Sequence, residues 1–229
     1  MNVSLNTVAA REARFKTINR FFTLFYLLFS AVLVVVYAIQ GDGYHLGISI
    51  GSLFVPPAIA LFYRLLRLRS VEQLTALVTA FTFLAYPLGS CLDFYRMVPG
   101  FDKVAHTLSG VFVSLLCLIL FYALKPSHAV ERRDAALLIA FTFFGSMAVA
   151  GLWEVGEYLI SFIVGLDLQR VAATGVSDSM QDMIVAMIGT LATLPFAWRL
   201  AQGKRDLLTG AVDAFIELNL KRLQEKSRN

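Results

Sequence analysis

The sequence predicts an all-α, polytopic transmembrane helix bundle of about six spans with both termini in the cytoplasm. Two observations carry the fold class. Of 229 residues, 58% are hydrophobic and only 16% are charged, where a soluble domain carries about a quarter charged residues. The charges also fall in short clusters between apolar runs, the pattern a bilayer imposes. A third observation, the alternation of Lys and Arg between loops, sets the orientation.

The spans follow in order from the charges that bound them. The first lies between Arg20 and Asp42, and the second between Asp42 and Arg64. The third lies between Glu72 and Asp93, and the fourth between Lys103 and Lys125. The fifth begins after Asp134, and the sixth runs from Asp182 to Arg199. Most can carry a helix across a hydrocarbon core of roughly 30 Å at about 1.5 Å per residue. Unpaired backbone groups are too costly in lipid for these runs to be anything but helical. Pro56-Pro57 should kink the second span, and Pro87 and Pro195 are tolerated inside spans. The first run is too long for a cleavable signal peptide and lacks its small-residue cleavage site. The whole chain is therefore expected to remain in the membrane.

Basic residues alternate strictly. Arg11, Arg14, Lys16 and Arg20 precede the first span; Arg64, Arg67 and Arg69 follow the second; Lys125, Arg132 and Arg133 follow the fourth. Seven more, from Arg199 to Arg228, follow the sixth, while the other loops hold only Arg96, Lys103 and Arg170. The ratio of 17 to 3 places both ends inside. It also explains the net charge of +4 through anionic headgroups rather than nucleic acid, for which no aromatic-basic motif is present. Cys91 and Cys117 read as small apolar residues, not a disulfide or a metal pair.

The organisation read from this is a basic N-terminal segment (1–20), a membrane domain (21–200) with its motif core at 90–190, and a cytoplasmic basic tail (201–229). Leu208, Val212 and Phe215 would share one face of a tail helix, lying on the inner leaflet or docking a partner.

The informative residues are the ionisable ones inside spans, because each is costly in lipid. Asp102 and His106 are four apart, Glu154 and Glu157 three apart, and Asp178 and Asp182 four apart. Such spacings put both members of a pair on one helix face. The orientation puts all three pairs in the outer half of the membrane. Ala135 to Leu166 is 32 residues, longer than one span, so the fifth helix breaks near Gly151 or Gly156, tilts, or carries its carboxylates below the interface. Only 16 residues separate Asp182 from Arg199, which draws Asp182 inward as well. Taken singly, Asp102 could cap the fourth helix, and Ser177, Asp178 or Ser179 the sixth, with Ser179 and Asp182 as a capping box. Glu154 and Glu157 have no such role: they must be protonated, paired with Arg170 or Arg96, or bound to metal. Several carboxylates and one imidazole suit a divalent ion, Mg, Mn, Ca or Zn.

The motifs Asp102-Lys103-x-x-His106 with Gly110, then Trp153-Glu154-x-x-Glu157, then Gln169, then Asp178-Ser179-Met180-x-Asp182 ending in Gly189, resemble the bacterial YjdF-like integral membrane family of unknown function. That family usually has threonine where Ser179 stands. More distantly the pattern is similar to the VanZ-type membrane proteins, which tend to carry asparagine where this chain has Ala186. The resemblance covers roughly residues 90 to 190 and implies that the pairs form one site in a bacterial cytoplasmic membrane.

Three functions compete. The first is a metal-dependent hydrolase or transferase acting on a lipid-linked or envelope substrate at the outer leaflet. His106, Glu154, Glu157 and Asp178 would hold the metal, which polarises a phosphoryl or acyl oxygen. Asp182 or Asp102 would act as base, and Lys103 would neutralise a phosphate. The absence of G-x-S-x-G argues against a serine nucleophile. The second is a cation- or proton-coupled transporter, though no acidic residues continue a path through the inner halves of the spans and no inverted repeat is visible. The third is a non-catalytic scaffold. The lipid bilayer is the partner all three require, and a homo-oligomer is compatible with each.

Overall fold

The computed structural model describes residues 5–165, 167–169, 171–206 and 208–221. All regular structure among them is helical, and six helical stretches are long and apolar enough to cross a membrane. These are Val8–Gln40, Gly43–Leu65, Glu72–Cys91, Phe101–Leu124, Arg132–Ile163 and Ser177–Ala201. They coincide with the six apolar runs between charge clusters. Large apolar side chains such as Phe21, Val32, Phe62, Leu137, Phe144 and Phe162 stand exposed on them. In water such a surface would be a liability; facing acyl chains it is expected.

The chain divides into two units, Met1–Phe101 with Gly210–Asn229, and Asp102–Thr209. In the first, α1 (Leu5–Gln40) ends before Asp42, which caps α2 (Gly43–Leu53) by accepting from the His45 backbone N–H at 3.0 Å. That N–H, and then the His45 ring, hold the Asp42 carboxyl below the usual carboxylate range. The kink expected at Pro56-Pro57 is a break at Phe54, from which α3 (Val55–Leu65) starts with proline in its first turn. Ser30 and Ser52 hydrogen-bond at 2.8 Å between α1 and α2, fully buried. The third span is α4 (Glu72–Phe83) continued by a π-helical stretch, Leu84–Cys91, around Pro87. Proline supplies no N–H, and the wider turn absorbs the missing bond. Phe83 packs its ring against Phe22, Phe25, Tyr26 and Phe29 of α1. A short helix, α5 (Phe94–Met97), follows.

In the second unit, α6 (Phe101–Leu124) and α7 (Ala135–Val164) are joined through a Lys125–Asp134 ion pair and a 3₁₀ turn, Arg132–Asp134. α7 is continuous over 30 residues and ends at Gly165 in the left-handed region, so no break occurs at Gly151 or Gly156. α8 (Val171–Thr174) is capped by Asp167, and α9 (Ser177–Ala201) packs along α7. α6 and α9 meet through glycine. A methyl group at Gly110 would fall on the Ala186 carbonyl, and one at Gly189 on that of Thr107. Ser146 of α7 bonds Thr190 at 2.7 Å in the same buried seam. Small residues and interhelical hydroxyl bonds are how helices associate where lipid removes the hydrophobic drive.

Cys91 and Cys117 are both buried free thiols. The tail forms α10 (Gly210–Phe215), extended by a π-helical stretch to Lys221. Val212 and Phe215 are buried within the first unit, and Asn219 accepts from the Arg69 N–H at 2.7 Å. Packing inside its own chain takes the place of the leaflet or partner offered for that face.

Candidate functional site

Five of the seven residues singled out from sequence converge in the second unit. Asp102, Lys103 and His106 lie on the first two turns of α6, and Asp178 and Asp182 on the first two turns of α9. The glycine contact at Gly110 and Gly189 lies about two turns further along each helix and draws these ends together. Lys103 Nζ donates to Asp178 Oδ1 and to Asp182 Oδ1, each at 2.7 Å, and to Asp102 Oδ2 at 3.2 Å. His106 Nε2 lies 3.5 Å from Asp102 Oδ1 and 3.8 Å from Asp182 Oδ1. Asp182 keeps 3% of its surface and Asp178 8%, so these charges are largely out of solvent.

Among the described residues, one ammonium, that of Lys103, faces three carboxylates, Asp102, Asp178 and Asp182. One potential ligand atom from each of Asp102, His106 and Asp182 falls within 4.8 Å of the others. Ligands at 2.0–2.6 Å from an ion are at most about 5 Å apart, so these three suit a single divalent ion.

The helix-cap readings for α9 do not hold. Its N-cap is Val176 with no side-chain cap bond, and Ser177 instead accepts from Gln181 Nε2 at 2.9 Å. Asp178 and Asp182 are turned to Lys103.

Glu154 and Glu157 are bonded elsewhere. Glu154 is 8% exposed and accepts from Gln169 Nε2 at 3.2 Å, the same amide reaching its backbone carbonyl at 3.0 Å. Glu157 accepts from Trp153 Nε1 at 2.8 Å and lies within electrostatic range of His106 and Asp102. Arg170, offered as their counter-charge, is outside the described residues. Sequence reasoning picked out Gln169 only as part of a motif; its role as the partner of Glu154 follows from the fold. It also separated Asp102 from His106 by role, although their i, i+4 spacing already placed them together.

A family model described as "Predicted membrane protein (DUF2238)" matches residues 21–203. The chain belongs to this family. The DUF2238 match spans all of the ionisable cluster and every candidate span but the start of the first. No curated protein and no solved structure matches the chain.

Proposed function

We propose that this DUF2238 protein is a membrane-embedded enzyme using a divalent metal ion on a lipid-linked or envelope substrate, at the outer side of a bacterial cytoplasmic membrane. The observation that carries the reading is the convergence of Asp102, His106 and Asp182 ligand atoms in a poorly hydrated cluster. A metal there would polarise a phosphoryl or acyl oxygen and acidify a bound water. Lys103 then positions Asp178 and Asp182, in place of the phosphate contact the sequence suggested, because its ammonium is engaged by three carboxylates. Glu157 is the carboxylate left to accept a proton, a role worth about 10²–10⁴ in rate. Gln169 holds Glu154 in place.

The metal reading is tested by metal content and thermal stability, which need no substrate. His106→Ala should lower metal affinity about 10- to 100-fold. Glu157→Gln should retain the metal, because Glu157 lies outside the three-ligand group. Unchanged stability in chelator and no metal in the wild-type protein would overturn the reading. The second reading, a cation- or proton-coupled transporter, would then take its place, favoured by the Lys103 ion pairs that bridge two helices.

Sidedness follows from the basic residues. Reporters fused after Gly41, Pro99 and Val171 should report outside, and those after Arg69, Ser127 and Gly203 inside. Any two reversed would remove the site from the outer half of the membrane.

A further inference from the structure

The interior of the first unit is polar along its whole length. α1 puts Asn19, Thr23, Tyr26, Ser30 and Tyr37 on one face, at steps of three, four and seven residues. α2 does the same with His45, Ser49 and Ser52, and the third span with Glu72, Thr75, Thr79, Thr82 and Tyr86. All of these are buried or half-buried, while Leu24, Leu28, Val32 and Val35 stand exposed on the other faces of α1. From Asn19 to Tyr37 the stripe climbs about 27 Å, close to the roughly 30 Å of a hydrocarbon core.

The stripes meet at every level. Asn19 donates to Glu72 at 3.0 Å, Thr75 donates to the Tyr63 hydroxyl of α3 at 3.4 Å, Ser30 and Ser52 bond at 2.8 Å, and Tyr37 donates to the Cys91 carbonyl at 2.6 Å. At one end His45 Nδ1 lies 2.6 Å from Asp42 Oδ2, and the His45 ring stacks on Tyr37. At the other end a cavity of about 420 Å³ is lined by Thr23, Glu72, Thr75 and Thr79, so it reaches two turns up α4 from Glu72. Its size and polar lining suit water. Hydroxyl bonds between spans also serve as glue, but two groups do not fit that role. Tyr26 Oη and Ser49 Oγ are wholly buried and have no hydrogen-bond partner among the described residues. Tyr26 faces Ser52 and Thr82 without a hydrogen-bond geometry; Ser49 faces the Cys91 thiol, which is within electrostatic range of Tyr26, Tyr37 and Tyr86. Unpaired buried hydroxyls are costly, and inside proteins ordered water satisfies them.

We propose that the first unit conducts protons between its His45 end and its Glu72 end, along these hydroxyls and the waters that bridge them. A hydroxyl both accepts and donates. Each one takes a proton on its oxygen and releases the proton it held, so nothing is oxidised or reduced and no charge stays in the seam. The titratable groups stand at the two mouths, Asp42 with His45 at one and Glu72 at the other, where protons exchange with solvent. A metal ion or an organic solute would need an open pore, whereas a proton needs only adjoining hydroxyls and waters. The activity is independent of the metal cluster in the second unit.

The full-length protein is reconstituted in vesicles holding a pH-sensitive dye, and a potassium diffusion potential, negative inside, is imposed with valinomycin. The interior should acidify several-fold faster than in protein-free vesicles. Tyr26→Phe keeps the ring and removes the hydroxyl. It should slow acidification several-fold while the thermal midpoint holds or rises, because no protein hydrogen bond is lost. Ser49→Ala should do the same. Acidification no faster than in protein-free vesicles overturns the proposal, and the wild-type protein decides this even if neither variant folds. Full acidification in both folded variants also overturns it, since the protons would then cross elsewhere. A Tyr26→Phe protein with a lower midpoint and undiminished acidification would reduce the hydroxyl to glue and overturn it as well.

Discussion

Gly110→Val or Gly189→Val should leave little folded protein, and even alanine at either position should cost about 3 kcal/mol or more. The added carbon would fall on a backbone carbonyl, Ala186 for one and Thr107 for the other. Overpacking usually costs about 1–3 kcal/mol because side chains yield. Here neither neighbour is a side chain, so α6 and α9 must part, and the ends carrying Asp102, Lys103 and Asp182 part with them. The control lies in the same unit. Gly156 of α7 has open space around its Cα, and Gly156→Ala should be neutral or stabilise by up to about 1 kcal/mol. Thermal unfolding in detergent or nanodiscs reads all three. A Gly189→Ala protein as stable as Gly156→Ala would mean that α6 and α9 do not cross here.

The second large effect is expected at Lys103. Lys103→Met removes the ammonium shared by Asp178 and Asp182 and leaves carboxylates that are 8% and 3% exposed without it. Breaking a buried pair costs about 3–5 kcal/mol, and the lower end applies because the lysine side chain is still 23% exposed. Adding Asp182→Asn to Lys103→Met should recover much of the loss, since the asparagine carries no charge to compensate. Divalent cations should also restore part of it, if the carboxylates accept a metal. Full stability of the single variant would show that the ion pairs contribute nothing measurable.

The spans were legible because a bilayer leaves so little choice. Every run from Arg20–Asp42 onward had to be apolar, long and helical. The consequence of Pro56-Pro57 was legible for the same reason, as one local cause with one local effect. The π-helical stretch at Leu84–Cys91 was not, although Pro87 was noticed, because proline in a membrane helix can be absorbed by a kink, a hydroxyl bond or a wider turn. Within the site, spacing showed that Asp102 and His106, and Asp178 and Asp182, each share a helix face. It could not show which faces meet. That was decided by Gly110 and Gly189, visible in the sequence as motif glycines but without a reason until α6 and α9 are packed. Lys103 was the residue least readable in advance. A long flexible side chain beside Asp102 could reach a substrate or a neighbouring helix, and only the position of α9 selects Asp178 and Asp182 as its partners. Glu154 and Glu157 drew the strongest argument from sequence, as carboxylates neither at a helix start nor next to a cation, and among the described residues Glu154 accepts from the Gln169 amide and Glu157 from the Trp153 indole.

If Asp102, His106 and Asp182 hold one metal ion, as we propose, anomalous scattering from crystals of the protein grown with Mn²⁺ or Zn²⁺ reads it directly. A single anomalous peak is expected, bonded at about 2.0–2.6 Å to a carboxylate oxygen of Asp102, to a nitrogen of His106 and to a carboxylate oxygen of Asp182, with Lys103 beside Asp178. Crystals that show no peak at these residues under saturating metal, with Lys103 still bonded to both Asp178 and Asp182, would contradict it.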